Sequence, residues 1–258
     1  MELMSLVKQT DEPAFPEVLW NQPVNRRLGR TLLIIGGHSQ QFSRTQEAYQ
    51  AARGAGAGKV TVALPRSVRS YTGNIPDVEF MADTPAGSLS REAENSIRAY
   101  MEEASAVLLP GELSRNTETI GLLESLLEGS DSPVIITDEI IRSLLHAPAV
   151  LRRAGALIAG PQALSELAQK LGIAVYTKTP DLQKEQRLLA GLTEELDNYI
   201  VCRSEEHILV GGREQISMTP AHNIDPARLA ATAAVFYAQH TREFEALTTA
   251  AWQTKESY

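Results

Sequence analysis

The sequence predicts an α/β protein: three layers (αβα), a mostly parallel sheet with helices on both faces, and an antiparallel hairpin late in the chain. Two observations carry this. Short apolar, β-branched runs alternate with helix-length segments from Thr31 onward, and strand–helix–strand units of that kind close as right-handed parallel crossovers. Near the C-terminus, "NYIVCR", "HILVGG" and "EQISMT" follow one another too closely for crossover helices. Such strands pair antiparallel beside an otherwise parallel sheet.

The elements follow in order. Residues 1–24 contain Pro13, Pro16 and Pro23 with little periodicity and read as an irregular arm; residues 25–258 read as one domain, with no Pro-, Gly- or Ser-rich linker, repeat or low-complexity tract. "TLLIIGG" is a buried-strand run ended by two glycines. In "SRTQEAYQAARGAGAG", Ser43 and Gln46 fit a capping box at the start of a helix that Gly54, Gly56 and Gly58 end. "KVTVALP" is the next strand. "EAENSIRAYMEEA" (helix), "AVLLPG" (strand), "TETIGLLESLLEG" (helix) and "PVIITD" (strand) continue the alternation. "EIIRSLLHAPAVLRRA" reads as helical, "GALIAGP" as a strand, "QALSELAQKLG" as a helix and "AVYTKTP" as a strand. A charged segment precedes the three late strands, and Gly211–Gly212 suits a hairpin turn. A helix from Asp225 and a last one from Arg242 close the chain.

Composition narrows the function. The formal net charge is -8, and no Lys/Arg cluster offsets it. A general nucleic-acid binder needs a basic face for phosphates, so nucleic acid is not expected as a partner. The single cysteine, Cys202, excludes an internal disulfide and a Cys-based zinc site; within "YIVC" it reads as a buried, inert thiol. "MELMSLVKQTDEP" lacks the basic and apolar regions of a signal peptide, and no apolar run reaches membrane-spanning length. A cytoplasmic, non-membrane protein is expected.

Several loops are candidates for chemistry. "IIGGHSQQFS" joins a strand to a helix, where parallel sheets bind ligands, but it is not GxGxxG, and a tight turn after a buried strand is the better reading of Gly36 and Gly37. In "PGELSR", Gly111 would let backbone approach a ligand; Asp138, ending a strand, suits Mg²⁺, a polar ligand or a helix cap. The five histidines have no metal-binding spacing, so no metal site is expected; His38 and His222 fall in loops that could share a crevice. Asp225 before Pro226 is good helix-start chemistry. A helix N-terminus also holds anions, and an acid there could take a proton from a hydroxyl while N–H groups hold a phosphoryl group.

Taken together, the fragments resemble the ribokinase-like, ADP/ATP-dependent NAD(P)H-hydrate dehydratases. "LLIIGG" with "ARGAGAGKVTVALP" is similar to that family's GG turn, alanine-rich helix and GAGLVTVATP. "LLPGELSR", "VIITDEIIRSLL", "LIAGPQALSELAQKLG", "YIVCRSEEHILVGG" and "HNIDPARLAATAAVF" follow in the order of the family's later blocks, so the likeness runs over roughly residues 25 to 240. It implies a ribokinase-like fold, ADP or ATP with Mg²⁺, and NAD(P)HX as substrate. In that family the hydrated ring is phosphorylated at its hydroxyl, and phosphate loss restores the nicotinamide. It also implies Asp225 as the base and a nucleotide or substrate site drawing on Gly36, Gly37, Arg44, Gly111, Asp138 and Asn223. A homo-oligomer is implied as well.

The chain departs from the family's motifs where the chemistry is done. Ser43 and Arg44 stand for a glycine-alanine pair facing the substrate. Gly160 and Ala163 stand for a histidine and a glutamate, and Cys202 for a lysine. His222 and Ile224 stand for both glycines before the catalytic aspartate, so Asn223 and Ile224 are expected to project where phosphate should approach. The expectation is a dehydratase-like protein of impaired activity. The alternative is a non-catalytic relative that binds a nucleotide or a protein partner.

Overall fold

The computed structural model describes residues 4–72, 77–174 and 181–256. Among these residues ten strands form one sheet: β1 (Ser5–Lys8), β2 (Thr31–Ile35), β3 (Lys59–Pro65), β4 (Val78–Met81), β5 (Ala106–Leu109), β6 (Val134–Thr137), β7 (Ala156–Ala159), β8 (Tyr199–Arg203), β9 (His207–Gly211) and β10 (Gln215–Pro220). Their order is β1-β10-β9-β8-β7-β6-β5-β2-β3-β4. From β4 to β8 every neighbour is parallel, and β9 runs antiparallel to both β8 and β10. The α/β class, the parallel sheet and the late antiparallel hairpin are therefore as the sequence predicts.

Nine helices cover the two faces among the described residues: α1 (Pro16–Trp20), α2 (Ser43–Gly54), α3 (Glu94–Glu103), α4 (Thr117–Glu128), α5 (Asp138–Ser143), α6 (Pro161–Lys170), α7 (Leu182–Leu196), α8 (Pro226–Gln239) and α9 (Glu243–Glu256). The period of two along each strand sorts the core into two layers. In β2, Leu33 and Ile35 pack with α3, α4 and the helices after them, whereas Leu32 and Ile34 pack with α2, α8 and α9. Alanine supplies most of the buried side chains of α8: Ala227, Ala230, Ala231, Ala233 and Ala234. It lies tightly against α2, the small side chains letting the two helices approach.

Four expectations need correction. The arm of residues 1–24 is not irregular throughout: β1 adds in parallel to β10 at the sheet edge, with Ser5 opposite Gln215. Buried Gln9 fixes it, donating from Nε2 to Thr219 Oγ1 at 2.7 Å and to the Thr248 carbonyl at 2.8 Å. Four residues with mostly exposed side chains carry no hydrophobic pattern to announce such a strand. The segment 139–154 is not one helix: α5 stops at Ser143 and a 3-10 turn spans Pro148–Arg153, because Pro148 lacks an N–H and holds Ala147 out of helical backbone (φ -131°). The charged segment before β8 is the helix α7, whose buried Leu188, Leu189, Leu192 and Leu196 form one stripe. Finally, β4 was not anticipated. The strand expected in "AVYTKTP" lies, apart from Ala174, outside the described residues.

Candidate functional site

The carboxyl ends of β2, β5, β6, β7 and β8 meet the N-termini of α2, α5, α6 and α8, which is where open parallel sheets bind ligands. Each of those helix starts exposes N–H groups and positive dipole. The chain's own carboxylates answer three of them.

At α2 the capping box of Ser43 and Gln46 does not form. Phe42 is the N-cap, with no side-chain cap of its own. Glu112, from the loop after β5, caps the helix instead. Its carboxylate accepts from Ser43 Oγ at 3.0 Å, from the Arg44 N–H at 2.9 Å and from the Thr45 N–H at 3.3 Å. A full negative charge on several donors at the positive end of a helix outcompetes a neutral serine oxygen. Glu112 is buried (1% exposed) and sits at φ 59°, a left-handed backbone that side chains seldom adopt. The three hydrogen bonds offset that strain.

At α6, Asp138 does the same from a distance. It is the first residue of α5, after the N-cap Thr137, and its Oδ1 accepts from the Gly160 N–H at 2.9 Å. It is thus a cross-brace between two helix starts rather than the cap of its own helix. At α8, Asp225 is the N-cap and accepts from the Arg228 N–H at 2.7 Å, with Pro226 in the first turn. Asn223 just before it is exposed at φ 55°. Ile224 is buried in the core beside α8 (6% exposed), so its side chain does not project where phosphate would approach, contrary to expectation.

Two cavities flank the α2–α8 junction. The larger, about 810 Å³, lies between the two helices and is lined by Ser43, Glu47, Asp225, Arg228 and Thr232 among others. Burial there raises the Glu47 carboxyl above its ordinary range; Asp225 and Glu112 raise it further, and Arg44 opposes them. The smaller, about 370 Å³, is the strand-end crevice. It is lined by Arg44, Arg115, Arg142, Arg203, Asp138 and Glu139, with Pro226 and Ala227 at one side. Arg44 spans it to reach Glu139 at 3.4 Å.

The residues singled out from sequence are therefore divided. Arg44 and Asp138 line the crevice, whereas Asp225 lines the larger cavity. Gly36, Gly37 and Gly111 serve close packing: a Cβ on Gly36 would lie 2.6 Å from Thr45 Oγ1, and one on Gly37 2.8 Å from Leu64 Cδ2. Gly111 (φ 107°) leaves room for the Arg44–Glu139 pair, since its Cβ would lie 3.0 Å from Glu139 Oε2. Asn223 lines neither cavity. His38 Nδ1 accepts from the Gln40 N–H, and His222 Nδ1 lies 3.2 Å from the Glu205 carbonyl; neither lines the crevice. Sequence reasoning missed Glu112, Glu47 and the other three arginines. Glu112 follows the already suspected Pro110-Gly111 turn, but no spacing rule links it to Ser43 some seventy positions away.

Cys202 is fully buried in β8, and burial pushes its thiol well above the ordinary range, with Glu185 and Asp138 adding to the shift. It is an inert packing residue. Among the described residues no group of three His, Cys, Asp or Glu could hold a metal ion. Glu112, Asp138 and Asp225 are already committed to N–H donors. The described residues therefore offer no all-protein cage for Mg²⁺, which commonly rests on one or two carboxylates and the phosphates of a ligand. No helix among them is long and apolar enough to cross a membrane.

No family model matches the chain. A curated relative, the bifunctional NAD(P)H-hydrate repair enzyme Nnr of Moorella thermoacetica, is 26% identical over 198 residues, which cover 74% of this chain and 36% of that protein. The chain thus matches little more than a third of that relative's length. A ribokinase-like superfamily protein from Enterococcus faecalis V583 superposes with a TM-score of 0.77 over 99% of this chain and 88% of its own, at 15% identity. The fold is ribokinase-like. The Bacillus subtilis ADP/ATP-dependent NAD(P)H-hydrate dehydratase, co-crystallized with ATP/Mg²⁺ and soaked with CoA, shares this ribokinase-like fold: TM-score 0.65, 14% identity, 98% of this chain and 88% of that one. The resemblance read from the sequence motifs thus recurs in whole-chain comparison, by sequence to a repair enzyme and by fold to ribokinase-like proteins.

Proposed function

We propose that this chain is an NAD(P)H-hydrate dehydratase-like protein whose ADP- or ATP-dependent step is crippled. The observation that carries this reading is the Glu112 carboxylate on the first turn of α2. By the resemblance Ser43 and Arg44 stand where the family's glycine-alanine pair faces the substrate, and a carboxylate that holds their donors repels a phosphate-bearing ligand there. By the resemblance Asp225 stands for the family's base, but one of its oxygens is engaged by its own helix, and it lines the larger cavity while Arg44 and Asp138 line the crevice.

The test is a repair assay with purified protein, ADP or ATP, Mg²⁺ and NADHX, read as returning NADH absorbance. Turnover near background is the expected result. Robust turnover that disappears in Asp225→Asn would overturn the reading and make Asp225 the base. The non-catalytic alternative, a ribokinase-fold protein that binds a nucleotide or a partner protein, draws its support from the arginine-lined crevice. A homo-oligomer in the cytoplasm, without nucleic-acid binding, belongs to the same proposal; gel filtration with light scattering tests the oligomeric state.

A further inference from the structure

The strand-end crevice gathers four guanidinium groups from four places: Arg44 in α2, Arg115 in the loop after β5, Arg142 in α5 and Arg203 at the end of β8. The chain as a whole carries a net charge of -8, and the crevice also holds Asp138 and Glu139, so its four guanidinium groups are a local excess of positive charge that runs against the composition. Two of the four are tied to carboxylates, Arg44 to Glu139 at 3.4 Å and Arg142 to Glu166 at 3.1 Å. Among the described residues, Arg115 and Arg203 have no carboxylate within ion-pair distance, and neither side chain donates a hydrogen bond to the protein. Arg203 is half-buried; Arg115 stands at the mouth. A half-buried guanidinium left without an acceptor is costly unless a ligand or water supplies one.

We propose that this crevice binds a small phosphate-bearing dianion through arginine side chains, chiefly Arg115 and Arg203, instead of through helix N-termini. The nearby helix starts are poor alternatives, since Glu112, Asp138 and Asp225 already take donors at α2, α6 and α8, and the first turn of α5 carries Asp138 and Glu139. Guanidinium forks suit phosphate oxygens and stay charged at every working pH. Donors converging from different elements suit a tetrahedral group better than a planar carboxylate. The cavity of about 370 Å³ lies at the small end of ligand sites and accepts a phosphate or a compact phosphate ester. The inference stands independently of the repair reading, because no step of it involves the hydrated cofactor.

The experiment titrates the full chain at low salt with inorganic phosphate, pyrophosphate, ADP and malonate, following Tm and binding heat. Phosphate or pyrophosphate should raise Tm in a saturable, salt-sensitive way. Arg115→Gln and Arg203→Gln should each weaken binding by about tenfold or more. Neither variant should lower the unliganded Tm, since neither side chain holds the fold, and removing the unpaired Arg203 charge should leave it level or raise it slightly. Arg213→Gln, which breaks only the exposed pair with Asp197, should bind like the parent. Equal affinity for ADP and pyrophosphate identifies the phosphate group itself as the ligand, and tighter ADP binding identifies a nucleotide as its source. Malonate binding as tightly as phosphate, no response to any anion at millimolar concentration, or undiminished binding in both arginine variants would each overturn the proposal.

Discussion

Glu112 and Arg44 meet backbone to side chain: the Glu112 carboxylate accepts from the Arg44 N–H at 2.9 Å, while the Arg44 guanidinium turns away to Glu139. One residue thus starts a helix under a foreign carboxylate and sends its own charge into the crevice. The negative group that the α2 N-terminus attracts is built in.

Glu112→Gln should therefore destabilise the protein, by about 1–3 kcal/mol, because charge-assisted bonds to three donors are weakened in a buried place. Glu112→Gly should lose the cap but gain backbone ease at φ 59°. Sulfate should then raise the Tm of Glu112→Gly more than that of the parent, by entering the vacated helix end. Urea denaturation and thermal melts with and without sulfate check both; an identical sulfate response would show that Glu112 excludes no anion.

Asp225 can be separated as cap and as catalyst. Asp225→Ala removes the oxygen that accepts from the Arg228 N–H and should cost about 1 kcal/mol. Asp225→Asn keeps an acceptor of the same shape and should stay within a few tenths of a kcal/mol of the parent. Equal losses in the two variants would mean that the charge, and not the cap geometry, matters there.

Gly36→Ala should destabilise by about 1–3 kcal/mol, since the new methyl lands 2.6 Å from Thr45 Oγ1 and 3.1 Å from the Gly111 carbonyl. Those atoms belong to two elements already locked by Glu112. Native-like stability measured by urea denaturation would return Gly36 to the role of a ligand-facing glycine.

Glu47 gives a pH dependence of known sign. Burial first, then Asp225 and Glu112, raise its carboxyl in the folded protein. The folded state then binds its proton more tightly than the unfolded chain. Between the ordinary and the raised value, stability falls as pH rises. Glu47 is largely exposed, so the slope should be shallow and diminish with salt. Denaturation midpoints of the parent and Glu47→Gln from acid to neutral pH should diverge in favour of the variant; parallel curves would remove Glu47 from the acidic cluster.

The fold was legible because hydrophobic period and turn residues agree over most of the chain; the β3 run "KVTVALP" is reproduced residue for residue. The omissions have physical causes. α7 carries enough charge to hide a leucine stripe that only burial reveals. β1 and β4 are four residues long at opposite sheet edges, where few buried side chains mark them. The site was less legible than the fold. Asp225 could be placed at a helix start from the Asp-Pro pair alone. The partner of α2 could not, because Glu112 reaches it across the sheet and not along the chain. The arginines come from four separate segments, and only folding brings them together.

The pairing of β1 with β10 has a consequence for assembly. Gln9 bonds to Thr219, 210 positions later, and to Thr248 in the closing helix. On the ribosome β1 therefore waits, unpaired, until the 210 positions between Gln9 and Thr219 have been made. The parallel centre can zip up meanwhile from neighbouring units; the outermost seam closes last, as long-range pairing is slow to form. Whatever interferes with residues 5–9 should leave a folded body with an open flank on β10, exposed to pairing with another molecule.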